Sequence, residues 1–184
     1  YEVVMYIERA LEPLVRRYSE NFKIVAVTGP RQVGKTTMLK HLMEEEAESG
    51  VDRVYVTLDN TAILQTAKED PALFLQRYRP PVLIDEIQKA PELLPYIKMI
   101  VDERDDCGSV WITGSQPLHL MKAVSESLAG RVGIVEMLGL SHSEVAGTPS
   151  EPYLPSADYF MRRVDMAKPF GVSEAYRQIC AGSL

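Results

Sequence analysis

The sequence predicts an α/β fold: a three-layer αβα arrangement on a mainly parallel five-stranded sheet, with a partial helical segment at the C-terminal end. Short β-branched runs alternate with stretches of helical periodicity along most of the chain. A glycine-rich turn joins the first of these runs to a helix. Strands that alternate with helices imply parallel pairing, with helices covering both faces of the sheet.

Residues 5–20 place Met5, Ile7, Leu11, Leu14 and Val15 at helical spacing, which predicts an amphipathic helix ahead of the first strand. That strand is 23–28, Lys-Ile-Val-Ala-Val-Thr. A helix from 35 to 48 follows and ends near Gly50, a residue suited to the position just past a helix. Residues 54–58 form a second strand. Residues 61–78 are helical in pattern, interrupted near Pro71. Pro80-Pro81 breaks the chain and delivers a third strand at 82–84. A helix is predicted over 92–104, a fourth strand over 109–113, a helix over 119–128 and a fifth strand over 132–137. The stretch 147–157 is rich in turn formers, and 157–167 and 172–180 read as helices.

This divides the chain into a core at 1–146, N-terminal helix included, and a linker with the start of a small helical segment at 147–184. The chain has 184 residues, 46% of them hydrophobic and 25% charged, enough for one full domain. It opens at Tyr1 inside a helical pattern and stops without a closing element, so the expectation is a piece of something longer. No apolar run reaches membrane-spanning length, and no membrane association is expected. Cys107 and Cys180 lack metal or redox spacing, so the cytoplasm is the simplest setting. A net charge of −6 argues against strong nucleic-acid binding by this segment, because backbone binding needs clustered positive charge.

Gly29-Pro30-Arg31-Gln32-Val33-Gly34-Lys35-Thr36 fits the pattern G-x-x-x-x-G-K-[ST], the phosphate-binding P-loop, between a strand and a helix. The two glycines permit a turn that aims backbone N–H groups at a phosphate, and the helix N-terminus adds partial positive charge. With Thr37, these residues are the candidate nucleotide ligands. Lys35 supplies a point charge for β- and γ-oxygens, and the Thr36 hydroxyl suits Mg²⁺. Pro81-Val82-Leu83-Ile84-Asp85-Glu86 is an apolar strand ending in two carboxylates, an extended Walker B pattern. Asp85 is the candidate metal partner beside Thr36, and Glu86 the candidate base for an attacking water.

Trp111-Ile112-Thr113-Gly114-Ser115-Gln116 ends a strand in small polar residues. Ser115 is the first choice for a polar sensor near the γ-phosphate, and Gln116 the second. Ser127-Leu128-Ala129-Gly130-Arg131 closes a helix and opens a strand; Arg131 there can reach a neighbouring subunit's γ-phosphate. Asp59 and Asn60 end the second strand and suit turn capping. His41, His119 and His142 lack a partner at metal-ligand spacing.

Together these motifs resemble the AAA+ branch of P-loop ATPases. The wording of residues 28–37, 83–88, 112–115 and 128–131 is similar to a bacterial and archaeal ATP-binding group that carries a nuclease-like C-terminal domain of unknown function. Gly139 departs from the proline that similar sequences often carry. The resemblance covers residues 5–145 and implies the P-loop NTPase form of the fold, ATP/ADP and Mg²⁺ as cofactors, and a second domain beyond Leu184. It also implies a homo-oligomer in the longer protein, with a protein or nucleic-acid partner reached through that second domain.

The expected function is Mg²⁺-dependent ATP binding and hydrolysis that drives or gates an attached effector domain. Two alternatives stand beside it: a nucleotide-dependent switch without turnover, and a small-molecule P-loop kinase. The kinase reading is weakened because Arg131 is the only arginine soon after the fourth strand, whereas such kinases carry an arginine-rich lid.

Overall fold

The three central strands are buried on both faces because alternate side chains enter two separate apolar cores. In β1 (Ile24–Thr28), Ile24 and Ala26 join one core while Val25 and Val27 join the other. The computed structural model describes residues 6–115, 127–148, 155–166 and 171–181. Four further strands flank β1: β2 (Val54–Thr57), β3 (Val82–Asp85), β4 (Val110–Gly114) and β5 (Val132–Glu136). Their order is β2-β3-β4-β1-β5, every pair is parallel, and β1 lies between β4 and β5. The expected three-layer α/β fold with a five-stranded sheet is present.

One face is covered by α1 (Glu12–Asn21) and α2 (Lys35–Glu48). Val15, Met38, Leu39 and Leu42 pack there against Leu83, Trp111 and Val135. The other face carries α3 (Thr61–Glu69), α4 (Pro71–Arg77) and α5 (Leu93–Asp102), with Ala67, Phe74, Leu93 and Ile97 in its core. Trp111 is 2% exposed. Its indole N–H reaches Ser19 Oγ at 2.9 Å, and the Arg53 guanidinium stacks 3.8 Å over its ring.

The first helix begins at Glu12, later than its apolar spacing predicts. Pro13 occupies its first turn, where a missing N–H is harmless, and the backbone N–H of Arg9 donates to Glu12 Oε1 at 2.7 Å. Arg9, ahead of the helix, reaches the P-loop carbonyl of Val33. The stretch 61–78 is two helices, because Asp70 ends α3 and its carboxylate caps α4 through Leu73 N–H at 2.9 Å. Residues 119–126 of the helix expected over 119–128, and Gln116, lie outside the described residues.

Glu8–Leu138 forms one compact unit. The described residues beyond it contain a short helix, α6 (His142–Val145), begun by a reciprocal capping box between Ser141 and Glu144. They also contain α7 (Ala157–Met166) and α8 (Val172–Ala181), as expected from their periodicity.

Gly133 in β5 marks a close packing contact. A Cβ there would lie 2.6 Å from Tyr18 Cδ2 and 2.7 Å from Phe22 Cδ2, atoms of two rings packed edge to face. Gly133→Ala should lower unfolding free energy by about 1–2 kcal/mol. Overpacking of about 1–3 kcal/mol outweighs the roughly 0.4–1 kcal/mol gained by restricting the unfolded chain. A urea midpoint at or above the parent's would show that the rings yield.

Candidate functional site

The P-loop sits at the C-terminal end of β1 and opens into α2. Its first glycine is required by both shape and space. Gly29 has φ 142, and a Cβ there would stand 2.0 Å from the carbonyl oxygen of Met137. The loop thus lies directly against the chain leaving β5. Gly34, at φ 90, is the N-cap of α2, and no side chain caps the helix's first turn. Those N–H groups and the helix dipole form a cradle suited to a phosphate.

Lys35 is 5% exposed and folds back over the loop, donating from Nζ to the carbonyls of Gly29 at 3.0 Å and Pro30 at 2.6 Å. Burial pulls its ammonium below the usual lysine range, Glu86 and Asp85 oppose that, and Arg31 adds to it. Arg31, Gln32, Gly34, Lys35, Thr36 and Thr37 line a cleft of about 530 Å³, whose other wall carries Asp59, Glu86 and Lys89. Pro30 is exposed, whereas Val33 is 9% exposed and packs into the core under the loop.

Asp85, at the tip of β3, is 6% exposed. Its Oδ1 accepts hydrogen bonds from Thr36 Oγ1 at 2.9 Å and from Thr113 Oγ1, and its Oδ2 accepts from Tyr55 OH at 3.1 Å. Burial first, and then the Asp85 charge, push the Tyr55 phenol up to about 12. Thr36 and Asp85, 49 residues apart in sequence, thus converge on one point. A hydroxyl and a carboxylate in contact beside a lysine form an oxygen donor set that fits Mg²⁺.

Glu86 follows with φ 61, and its N–H donates to Thr113 Oγ1 at 3.1 Å. Its Oε2 accepts from Ser115 Oγ at 3.1 Å and from the side-chain amide of Gln88. Ser115 therefore contacts the candidate base itself. Lys89 pairs with Asp59 at the cleft rim, and Asn60 caps α3 through Ala62 N–H and Ile63 N–H.

Sequence reasoning did not find four polar residues of this site. Tyr55 and Thr113 reach Asp85 because β2 and β4 flank β3 in parallel register. Gln88 reaches Glu86 through a single 3-10 turn, Ile87–Lys89. Arg9 is 6% exposed and spans the loop and the β5 exit, donating to the carbonyls of Val33 at 2.7 Å and Leu138 at 2.8 Å. Strand order would have revealed the first two, but it is not written in the motifs.

Arg131 is not brought to the site of its own chain. It precedes β5, at the end of the sheet away from the P-loop, about 16 Å off at ~3.3 Å per strand residue. There its guanidinium forms a two-pronged pair with Asp102, through Nη2 at 2.9 Å and Nε, and donates to Ala129 O at 3.0 Å. The hydrogen bonds of this pair raise Arg131 above its ordinary range and lower Asp102 below its own. Among the described residues, no helix is long and apolar enough to cross a membrane.

Comparison with known proteins bears on the family and the fold. Two uncharacterized mycobacterial proteins, Rv2008c of Mycobacterium tuberculosis and Mb2031c of Mycobacterium bovis, are each 33% identical over 137 residues. The match spans 74% of this chain and 30% of each relative's length. The fold is similar to a Walker-type ATPase, PABY2304 of Pyrococcus abyssi, at TM-score 0.52 and 16% identity, covering 89% of this chain and 60% of that one. It is similar also to AMPPCP-bound DnaA of Aquifex aeolicus, at TM-score 0.51 and 18% identity, covering 73% and 48%. The family model described as AAA domain matches residues 21–146. A parallel sheet that ends in a P-loop and a paired Asp-Glu tip, matched over that span, makes this chain a member of the AAA domain family of P-loop NTPases.

Proposed function

We propose that the chain binds ATP and hydrolyses it with Mg²⁺, and that this cycle drives or gates a further part of a longer protein. The observation that carries the reading is the convergence of Lys35, Thr36 and Glu86 on one cleft, with Asp85 hydrogen-bonded to Thr36. The AAA family supports nucleotide binding in general. The greater length of the mycobacterial relatives is compatible with an attached effector, for which a nuclease-like domain and a protein or nucleic-acid partner are proposals.

In this reading the α2 N-terminus and Lys35 hold the β- and γ-phosphates. Lys35 exchanges its carbonyl contacts with Gly29 and Pro30 for phosphate oxygens. Thr36 and Asp85 would hold Mg²⁺, whose charge would neutralise that on the phosphate oxygens. Glu86 takes a proton from water as the water oxygen attacks the γ-phosphorus. The bond from that phosphorus to the bridging oxygen breaks, and its electron pair leaves with ADP. The location is cytoplasmic in this proposal, and ADP remains in the same cradle after phosphate leaves.

Arg131 enters only in trans. Its side chain is 31% exposed at the far end of the sheet, where a second copy can receive it if the Asp102 pair opens. An arginine supplied this way has been worth about 10³–10⁵ in rate in GTPases.

Lys35→Ala should weaken ATP binding at least tenfold, about 1.4 kcal/mol by calorimetry; unchanged affinity in a folded variant contradicts its phosphate role. Glu86→Gln should bind ATP like the parent yet lose most phosphate release. Parent-like release would remove Glu86 as the base, and binding without release in the parent would favour the switch reading. Mixing Arg131→Ala with Lys35→Ala in the longer protein should restore activity above either alone. No recovery in an active oligomer would place Arg131 outside catalysis in trans.

A further inference from the structure

The carboxylate of Glu86 is gripped on one side only. Its Oε2 accepts from the Gln88 amide and from the Ser115 hydroxyl at 3.1 Å, and Gln88 Nε2 lies 3.0 Å from Ser115 Oγ. The three side chains therefore close a ring. A carboxylate has no proton to give, so Gln88 must present its NH₂ edge. That orientation leaves Gln88 Oε1 buried without a hydrogen-bond partner among the described residues. An orphaned buried acceptor is unfavourable, and flipping the amide would only set two oxygens against each other.

The backbone holds the same geometry. Glu86 adopts φ 61, a left-handed conformation uncommon outside glycine, and its N–H is tied to Thr113 Oγ1 at 3.1 Å. The 3-10 turn then buries Ile87 completely and turns Gln88 back over Glu86. Strain and an unsatisfied acceptor concentrated on one side chain pair mark a functional constraint.

We infer that Gln88 is a positioning residue. With Ser115 it anchors Oε2 of Glu86 and so leaves Oε1 as the oxygen that takes the proton from the attacking water. This rests on the hydrolytic reading above. Gln88 does not line the phosphate cleft, so its effect passes through Glu86 and not through nucleotide contact.

Single-turnover phosphate release with ATP and Mg²⁺ on Gln88→Ala tests this, with thermal melts to establish folding. The rate should fall about 10–100-fold, the range of a misplaced catalytic group, while ATP affinity stays within about twofold. In a Glu86→Gln background, adding Gln88→Ala should change the rate by less than about twofold, because the only route for its effect is gone. A Gln88→Ala variant as fast as or faster than the parent, beside an inactive Glu86→Gln, overturns the inference and leaves the hydrolytic reading standing. A parent-like Glu86→Gln overturns the hydrolytic reading and this inference with it. A readout without turnover is NMR of the nucleotide-free chain. The Gln88 side-chain amide protons should be shifted from the free-glutamine position and move toward it in Glu86→Ala, with the Ser115 contact remaining. Free-like Gln88 protons in the parent overturn the inference outright.

Discussion

A single buried carboxylate organises this molecule. Asp85 lies 6% exposed at the tip of β3 and takes hydroxyl donors from α2, β2 and β4. An isolated ionised carboxylate in such a place would be strongly unfavourable. Hydrogen bonds to a charged group stabilise by about 1.5–3 kcal/mol each, so three hydroxyls offset much of that penalty. The same bonds fix the P-loop helix and the neighbouring strand tips relative to one another, with Glu86 next in the chain. Removing the carboxylate would leave Thr36, Thr113 and Tyr55 without their shared acceptor.

That hub depends on the parallel sheet beneath it. Parallel strands bring their C-terminal ends to one edge, so the P-loop after β1, the carboxylates after β3 and Ser115 after β4 meet although sequence separates them widely. Apolar packing on both faces holds the strand tips in register. The P-loop has a second support, the chain leaving β5. Met137 O fills the space where a side chain at position 29 would stand, and Arg9 ties Val33 to Leu138. A change in the loop is therefore felt at the residue where the compact unit Glu8–Leu138 ends.

Outside that unit, α7 and α8 carry exposed apolar residues. Phe160 is 48%, Val164 68% and Val172 74% exposed. Phe160 and Val164, four residues apart in α7, share one face of that helix, a surface suited to contact with further protein. The match spans only 30% of the length of the mycobacterial relatives, which places most of such a protein outside the segment described.

The sequence by itself determined the local chemistry. The P-loop is readable because glycine spacing and a lysine after the second glycine are required at fixed offsets within one turn, and Asp85-Glu86 because an apolar strand must end where its carboxylates meet the cleft. Strand and helix identities were legible for the same reason: burial on two faces imposes β-branched runs, and one-sided burial imposes helical spacing. The later start of α1 and the split at Asp70 were not, since each depends on a side chain reaching one particular backbone N–H. Only the tertiary structure decided which neighbours complete the site. Tyr55 and Arg9 lie outside the motifs, and the motifs that contain Thr113 and Gln88 assign them no role; these residues reach the carboxylates and the loop because strand order, register and one 3-10 turn place them there. It likewise decided that Arg131 lies far from the P-loop of its own chain, because the start of a parallel strand lies a full strand length from its tip.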